Sequence, residues 1–196
     1  RSTVRTCREL GIPILPLYAS STENWQRPKT ELNALMGLLR RFLEAELREL
    51  LKNGIRLHVI GRRERLPGNV QKALAAAVEE TRQNSALQLN LALSYGGRDE
   101  ITRAARSLAD EVQAGRLRPV DITEELLSAR LDTAGIPDPD LLIRTGGDMR
   151  VSNFLLWQLA YTEIFVTPTL WPDFTPELFQ QILNDFQSRE RRFGRV

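Results

Sequence analysis

One cysteine in 196 residues excludes an internal disulfide and fits a reducing compartment. That residue, Cys7, reads as a small apolar position on a helix rather than as a nucleophile. The single histidine, His58, lies inside an apolar segment and reads as structural. The chain shows no paired His or Cys metal spacing, no Ser/His/Asp set and no Gly-Lys-Ser/Thr phosphate loop. Its 27 basic and 25 acidic residues leave a net charge of +2, too little for a nucleic-acid surface. Any phosphate chemistry must therefore come from local arginine clusters. No apolar run is long enough to span a bilayer, and no signal-peptide pattern is present, so a lipid-like substrate would be met in a groove or tunnel. Repeats, low-complexity stretches and linkers are also lacking, and a single domain over residues 1–196 is expected.

Strand-like and helix-like segments alternate along the chain. This predicts an α/β fold with a central, mostly parallel sheet and helices on both faces. Strands are expected at Ile12 to Tyr18, Ile55 to Ile60, Leu87 to Leu93, Leu141 to Ile143 and Glu163 to Val166. Pro13 and Pro16 suit the first of these to an edge. A long helix is predicted from Pro28 to Lys52, with Leu35, Met36, Leu39, Leu43, Leu47 and Leu50 at helical spacing and Asn53-Gly54 closing it. Its apolar face is wide. Core packing is the simpler account of that width from pattern alone, and a cavity wall is the alternative. Further helices are expected at Asn69 to Gln83, from Arg98-Asp99 onward, behind an Asp121/Glu124 capping box, and from the cap Thr175-Pro176-Glu177. The Arg62-Arg63-Glu64-Arg65 loop reads as a solvated surface.

Residues 140–157 carry the strongest chemical signal. An apolar strand empties into Gly146-Gly147, and Arg144, Asp148, Arg150 and Ser152 crowd round the turn. Glycines permit close backbone approach and positive φ, and arginine forks match phosphate oxygens. In open α/β sheets, ligands sit beyond the carboxyl ends of the strands. Polar clusters at three predicted strand ends, Ser21 to Arg27, Ser94 to Asp99 and Arg144 to Ser152, suggest one convergent site. Arginines, hydroxyls, amides and the carboxylates Glu23, Asp148 and Glu163 suit a diphosphate held with a hard divalent cation. Arginines beside a turn also occur without any ligand, so the pattern alone leaves a plain surface turn open.

Longer motifs add to this reading. Tyr18-Ala19-Ser20-Ser21-Thr22-Glu23-Asn24-Trp25-Gln26-Arg27-Pro28, Ser94-Tyr95-Gly96-Gly97-Arg98 and the 140–157 segment resemble, in order, the motifs of the cis-prenyltransferases of the bacterial undecaprenyl diphosphate synthase type. Ala160-Tyr161-Thr162-Glu163, Trp171-Pro172-Asp173-Phe174 and Arg191-Arg192-Phe193-Gly194 continue the series. The resemblance implies a doubly covered parallel sheet with a hydrophobic tunnel. It also implies condensation of isopentenyl diphosphate with farnesyl diphosphate, using Mg²⁺, into a long-chain polyprenyl diphosphate, with undecaprenyl the expected length. It places Arg144, Arg150 and Ser152 on the diphosphate of isopentenyl diphosphate and Glu163 on Mg²⁺. Ser21, Asn24, Trp25 and Arg27 would line the junction of the two substrates, the first three as catalytic residues, with Asn24 and Trp25 in a mobile cover. Ala19 and Leu87, with Leu35 and Leu39, would line the tunnel.

The resemblance further implies a homodimer, no nucleic-acid partner, and a cytoplasmic protein touching the inner face of the membrane for product release. It implies a role in supplying the lipid carrier for cell-wall synthesis. The family's Asp-Gly-Asn-Gly-Arg-Trp segment is not in this chain, which is expected to be inactive without it. Three residues depart from the motifs: Ser20 for phenylalanine, expected to widen the tunnel; Ser94 for asparagine, which puts that side chain's hydrogen bond in doubt; and Asp148 for glutamate, with shorter reach. Two rival readings are a catalytically silent subunit of the same fold and a short-chain cis-prenyl diphosphate synthase. A plain phosphate or nucleic-acid binding module is a third, disfavoured by the near-neutral charge.

Overall fold

A computed structural model describes residues 2–189. In chain order the elements are α1 (Ser2–Glu9), β1 (Ile14–Tyr18), α2 (Lys29–Lys52), β2 (Ile55–Ile60), α3 (Gly68–Thr81) and β3 (Leu87–Ala92). They continue with α4 (Gly97–Gln113), α5 (Glu124–Ser128), β4 (Leu141–Thr145), β5 (Glu163–Thr167) and α6 (Pro176–Ser188). Every strand pair is parallel, as the alternation predicts.

The strands form two hydrogen-bonded groups rather than one ladder: β1-β3-β2, and β4-β5. The chemistry of β1 shows why its outer edge is poor for pairing. Pro13 C=O accepts from Gln88 N–H at 2.8 Å and Ala19 N–H donates to Ala92 C=O at 3.1 Å, so odd-numbered residues face β3. Pro16 then turns its hydrogen-less nitrogen to the open side, where a proline is tolerated.

Register sets the two faces of the three-stranded sheet. Leu17, Leu91 and Val59 share one face; Tyr18, Ala92 and Ile60 share the other. The first face packs on Met36, Leu43 and Leu50 of α2 and on Val70, Leu74 and Ala77 of α3. Cys7 of α1 and Phe179 and Ile182 of α6 belong to the same buried cluster, with Leu141, Ile143 and Phe165 of the β4-β5 pair against it. The second face is covered by Tyr95, Phe154 and Leu155. Cys7 is fully buried, and burial pushes its thiol up to about 12.

The width of α2's apolar face exceeds what the core uses, since Leu38 and Phe42 remain exposed while Leu35 and Leu39 pack on the core. A cavity of about 170 Å³ lies beneath α3, lined by Val59, Arg63, Gln71, Leu74, Ala75 and Val78. One predicted cap is corrected. The N-cap of α5 is Thr123, whose hydroxyl accepts from Leu126 N–H at 3.2 Å, because it directly precedes the first helical residue. Asp121 is instead held by Arg118 at 2.6 and 2.7 Å. The cap predicted at Thr175 is in place, accepting from Leu178 N–H at 3.2 Å. No described helix is long and apolar enough to cross a membrane.

Candidate active site at the strand ends

The loops after β1 and β3 are bound to each other at the carboxyl edge of the sheet. Tyr95 N–H donates to Ser20 C=O at 3.1 Å, Thr22 N–H to Tyr95 C=O at 3.0 Å, and Ser94 N–H to Ser20 Oγ at 2.9 Å. The departure at Ser20 is thereby explained differently from its expectation. Its hydroxyl is buried and serves the backbone of the next strand end, not an apolar wall.

The third loop closes on these two. Asn153 C=O accepts from Gly97 N–H at 2.7 Å, and its side-chain oxygen from Arg98 N–H at 2.9 Å. The Asn153 amide donates to Glu23 Oε1 at 2.8 Å. Approach is so close that a Cβ on Gly97 would lie 2.8 Å from Leu156 Cγ and 3.0 Å from its backbone nitrogen. Ser152, Asn153 and Leu155 have φ of 48°, 62° and 46°, in the left-handed region that non-glycine residues enter only when their surroundings hold them there.

Of the residues expected at the substrate junction, Ser21, just ahead of the 3₁₀ turn Thr22–Gln26, donates to Asn24 Oδ1 within it at 3.1 Å. Trp25 donates its indole N–H to Ser94 Oγ at 2.7 Å, with the Arg65 guanidinium 5.3 Å over its ring. The serine at position 94 therefore supplies a hydrogen bond of its own. Arg27 is exposed at the end of the turn. Partial burial pushes the Glu23 carboxyl up, yet hydrogen bonds from its own backbone N–H, Asn153, Ser21 and Thr22 outweigh that and leave it below the usual range. Burial and the Glu23 charge raise Tyr18 to about 12.

Arg144 and Arg150 converge. Each donates through one terminal nitrogen to the same oxygen, Asp148 Oδ2, at 2.9 Å. The Arg144 hydrogen bond and the charge of Arg150 hold the Asp148 carboxyl below its ordinary value. The shorter side chain at 148 thus reaches both guanidinium groups. Gly146 and Gly147, at φ 86° and 78°, turn the chain so that their N–H groups bond Thr169 and Thr167 carbonyls at 2.9 Å. An anion entering here would meet two forks already gathered around one oxygen.

Glu163 lies elsewhere. It pairs in register with Leu141, at the start of β4 and β5, whereas Arg144 is opposite Val166. Three residues of strand rise, roughly 10 Å, separate those positions. Glu163 accepts from Arg189 at 3.2 Å. Among the described residues no group of three or more His, Cys, Asp or Glu side chains converges as a metal cage. Asp148 is engaged by two arginines, so the donor set fits Mg²⁺ only where substrate phosphate oxygens complete the shell around a single carboxylate. Ala19 is exposed just past β1, and Leu87 is fully buried at the start of β3. The two mark opposite ends of the sheet, roughly 20 Å apart by strand rise. The Arg191-Arg192-Phe193-Gly194 motif lies outside the described residues.

Several participants carry no signal in the sequence. Glu100, Asp132 and Gln158 are far apart along the chain and meet beneath the three loops. Asn153 stood inside a recognised motif, and only its position between the loops reveals its work.

Comparison with known proteins agrees with this geometry. The family model described as "Putative undecaprenyl diphosphate synthase" matches residues 1–194. An isoprenyl transferase of Rhizobium meliloti is 52% identical over 99% of this chain and 78% of the relative. A ditrans,polycis-undecaprenyl-diphosphate synthase of Xanthomonas axonopodis, named as (2E,6E)-farnesyl-diphosphate specific, is 51% identical over 98% of this chain and 75% of its own length. Among solved structures, lavandulyl diphosphate synthase from Lavandula x intermedia, in complex with dimethylallyl diphosphate, superimposes with TM-score 0.94 at 38% identity, covering 98% of this chain and 84% of that one. A probable undecaprenyl diphosphate synthase from Campylobacter jejuni gives TM-score 0.88 at 41% identity, covering 99% and 89%. Sequence, fold and strand-end chemistry together place this chain in the undecaprenyl diphosphate synthase family of cis-prenyltransferases.

Proposed function

We propose that the chain, as one cis-prenyltransferase domain over residues 1–196, condenses isopentenyl diphosphate with farnesyl diphosphate into a long polyprenyl diphosphate. The observation that carries this reading is the convergence of Arg144 and Arg150 on one anionic oxygen beside three interlocked strand-end loops. In the reaction the allylic C1–O bond breaks and its diphosphate leaves with the electron pair. The terminal alkene carbon of isopentenyl diphosphate bonds to C1, and a proton is lost from its C2. Arg144, Arg150 and Ser152 hold the diphosphate of isopentenyl diphosphate, displacing Asp148 from the two forks. Ser21, Asn24 and Trp25 border the reacting carbons, and Arg27 faces the allylic diphosphate. The growing chain runs from Ala19 toward Leu87 along the apolar face of the sheet. Glu163, on leaving its ion pair with Arg189, would hold Mg²⁺ together with substrate oxygens, and the ion would supply charge neutralisation for the departing diphosphate.

The exposed side chains Tyr161, Ile164, Leu170 and Trp171 around β5 support a homodimer through that face. A cytoplasmic location with peripheral membrane contact at product release, and a role in lipid-carrier supply, belong to the same reading. The test is incorporation of radiolabelled isopentenyl diphosphate on farnesyl diphosphate with Mg²⁺, followed by chromatography of the product. Long polyprenyl product is expected. A product stopping after one or a few additions selects the short-chain reading. Binding of both diphosphates without incorporation selects a silent subunit.

A further inference from the structure

Beneath the three loops lies a carboxylate that the proposed chemistry does not use. Glu100 is 1% exposed and Tyr95 is fully buried. The Tyr95 hydroxyl donates to Glu100 Oε2 at 2.5 Å, and Asp132 N–H donates to Glu100 Oε1 at 2.8 Å. The Gln158 amide approaches Glu100 at 3.3 Å and donates to Thr133 Oγ1 at 2.8 Å. Asp132 is fixed in turn by the Arg103 fork at 2.7 and 3.0 Å and by Gly61 N–H at 3.0 Å. Glu100 is thus anchored on one side to the end of β2 and holds Tyr95 on the other.

Tyr95 leads directly to the arm that carries Arg150 and Ser152. Its hydroxyl faces the backbone N–H of Leu155, and its ring meets Phe154 edge-on at 5.9 Å. Tyr18 stacks on that same Phe154 at 4.6 Å. The segment so gripped is the one whose Ser152, Asn153 and Leu155 sit in the left-handed region. Such a conformation costs free energy at each residue and persists only when its surroundings over-determine it. With Glu100 accepting its proton, the Tyr95 oxygen is left facing Leu155 N–H as an acceptor.

We propose that Glu100, acting through Tyr95, is a positioning residue that holds the Ser152–Leu155 segment in its left-handed form and so aims Ser152 and Arg150 at the diphosphate of isopentenyl diphosphate. This rests on the assignment of Arg150 and Ser152 to that diphosphate. Glu100→Gln keeps the shape but leaves one acceptor oxygen for two donors, the Tyr95 hydroxyl and Asp132 N–H, so the pairing that fixes Tyr95 to Asp132 through one carboxylate is broken. Tyr95→Phe removes one oxygen and nothing else.

The experiment is steady-state kinetics of the active enzyme carrying Glu100→Gln, Tyr95→Phe, both, or Arg150→Ala, with thermal melts of each. Loss of one buried hydrogen bond predicts that KM for isopentenyl diphosphate rises about fivefold to tenfold in either single variant, with KM for the allylic diphosphate within about twofold. The double variant is expected to be no worse than the poorer single one, since the two residues act in series. Unchanged KM in folded single variants, equal rises for both substrates, or additive effects would each overturn the proposal. If Glu100→Gln does not fold, Tyr95→Phe decides alone. A raised KM in Arg150→Ala beside unchanged values in the other variants removes the proposal only. An unchanged KM in Arg150→Ala removes the site assignment and the proposal with it.

Discussion

Two regions of the site are built in opposite ways. The strand-end loops around Tyr95 are tied by backbone hydrogen bonds, buried side chains and glycines with no room for a Cβ. The arginine arm is held by two ion pairs to Asp148, a carboxylate nearly half exposed. Exposed ion pairs contribute little to stability because solvent screens them. The first region is a scaffold that cannot shift without cost. The second is a charge cluster that can trade one anion for another at little cost. A site that must admit and release a diphosphate at each addition suits this division.

Substitutions that separate the two regions test it, beginning with the largest effect. Arg150→Ala is expected to lower kcat/KM for isopentenyl diphosphate about 100-fold, the worth of a charge-assisted contact, with the melting temperature unchanged. A matching fall in stability would mean that the arm is part of the scaffold. Gly97→Ala should do the reverse, costing about 2–3 kcal/mol of stability in urea melts because the new Cβ meets Leu156 side chain and backbone. Ser94→Ala removes the acceptor of the Trp25 indole and should cost about 1 kcal/mol, with a several-fold loss in kcat/KM as the Trp25 loop loosens. The smallest effect concerns His58. Burial and the charges of Arg56 and Arg63 lower its pKa, so the folded state disfavours the proton that the unfolded chain accepts. Stability should be fully present above the ordinary histidine range and decline as pH falls through it. The melting temperature measured from pH 8 to pH 5.5 should show this, and His58→Gln should flatten the slope in that window, the chain having no other histidine.

The scaffold was more legible in the sequence than the connections within it. Alternating apolar segments and glycine-terminated strands are local patterns, and each strand appears where periodicity predicts it. The division into β1-β3-β2 and β4-β5 depends on which edges meet, something no local pattern encodes. Arg144, Asp148 and Arg150 were legible as a cluster because all three fall within one turn. The shared Asp148 oxygen was not, since it depends on side-chain reach. Ser20 illustrates the same limit: its volume was readable, while its bond to Ser94 N–H required a residue more than seventy positions away. Glu100 has the spacing of an ordinary first-turn helix carboxylate, and only its burial against Tyr95 and Asp132 distinguishes it.

Cys7 has a practical consequence. A thiol fully buried and raised to about 12 stays protonated and sheltered at neutral pH, so thiol-directed reagents will pass it by. Met149, 89% exposed between Asp148 and Arg150, then becomes the natural place for an introduced cysteine. A fluorophore attached there would label this chain at one position without removal of the native Cys7. It would sit beside the two guanidinium groups, reporting in real time each exchange of Asp148 for an incoming anion.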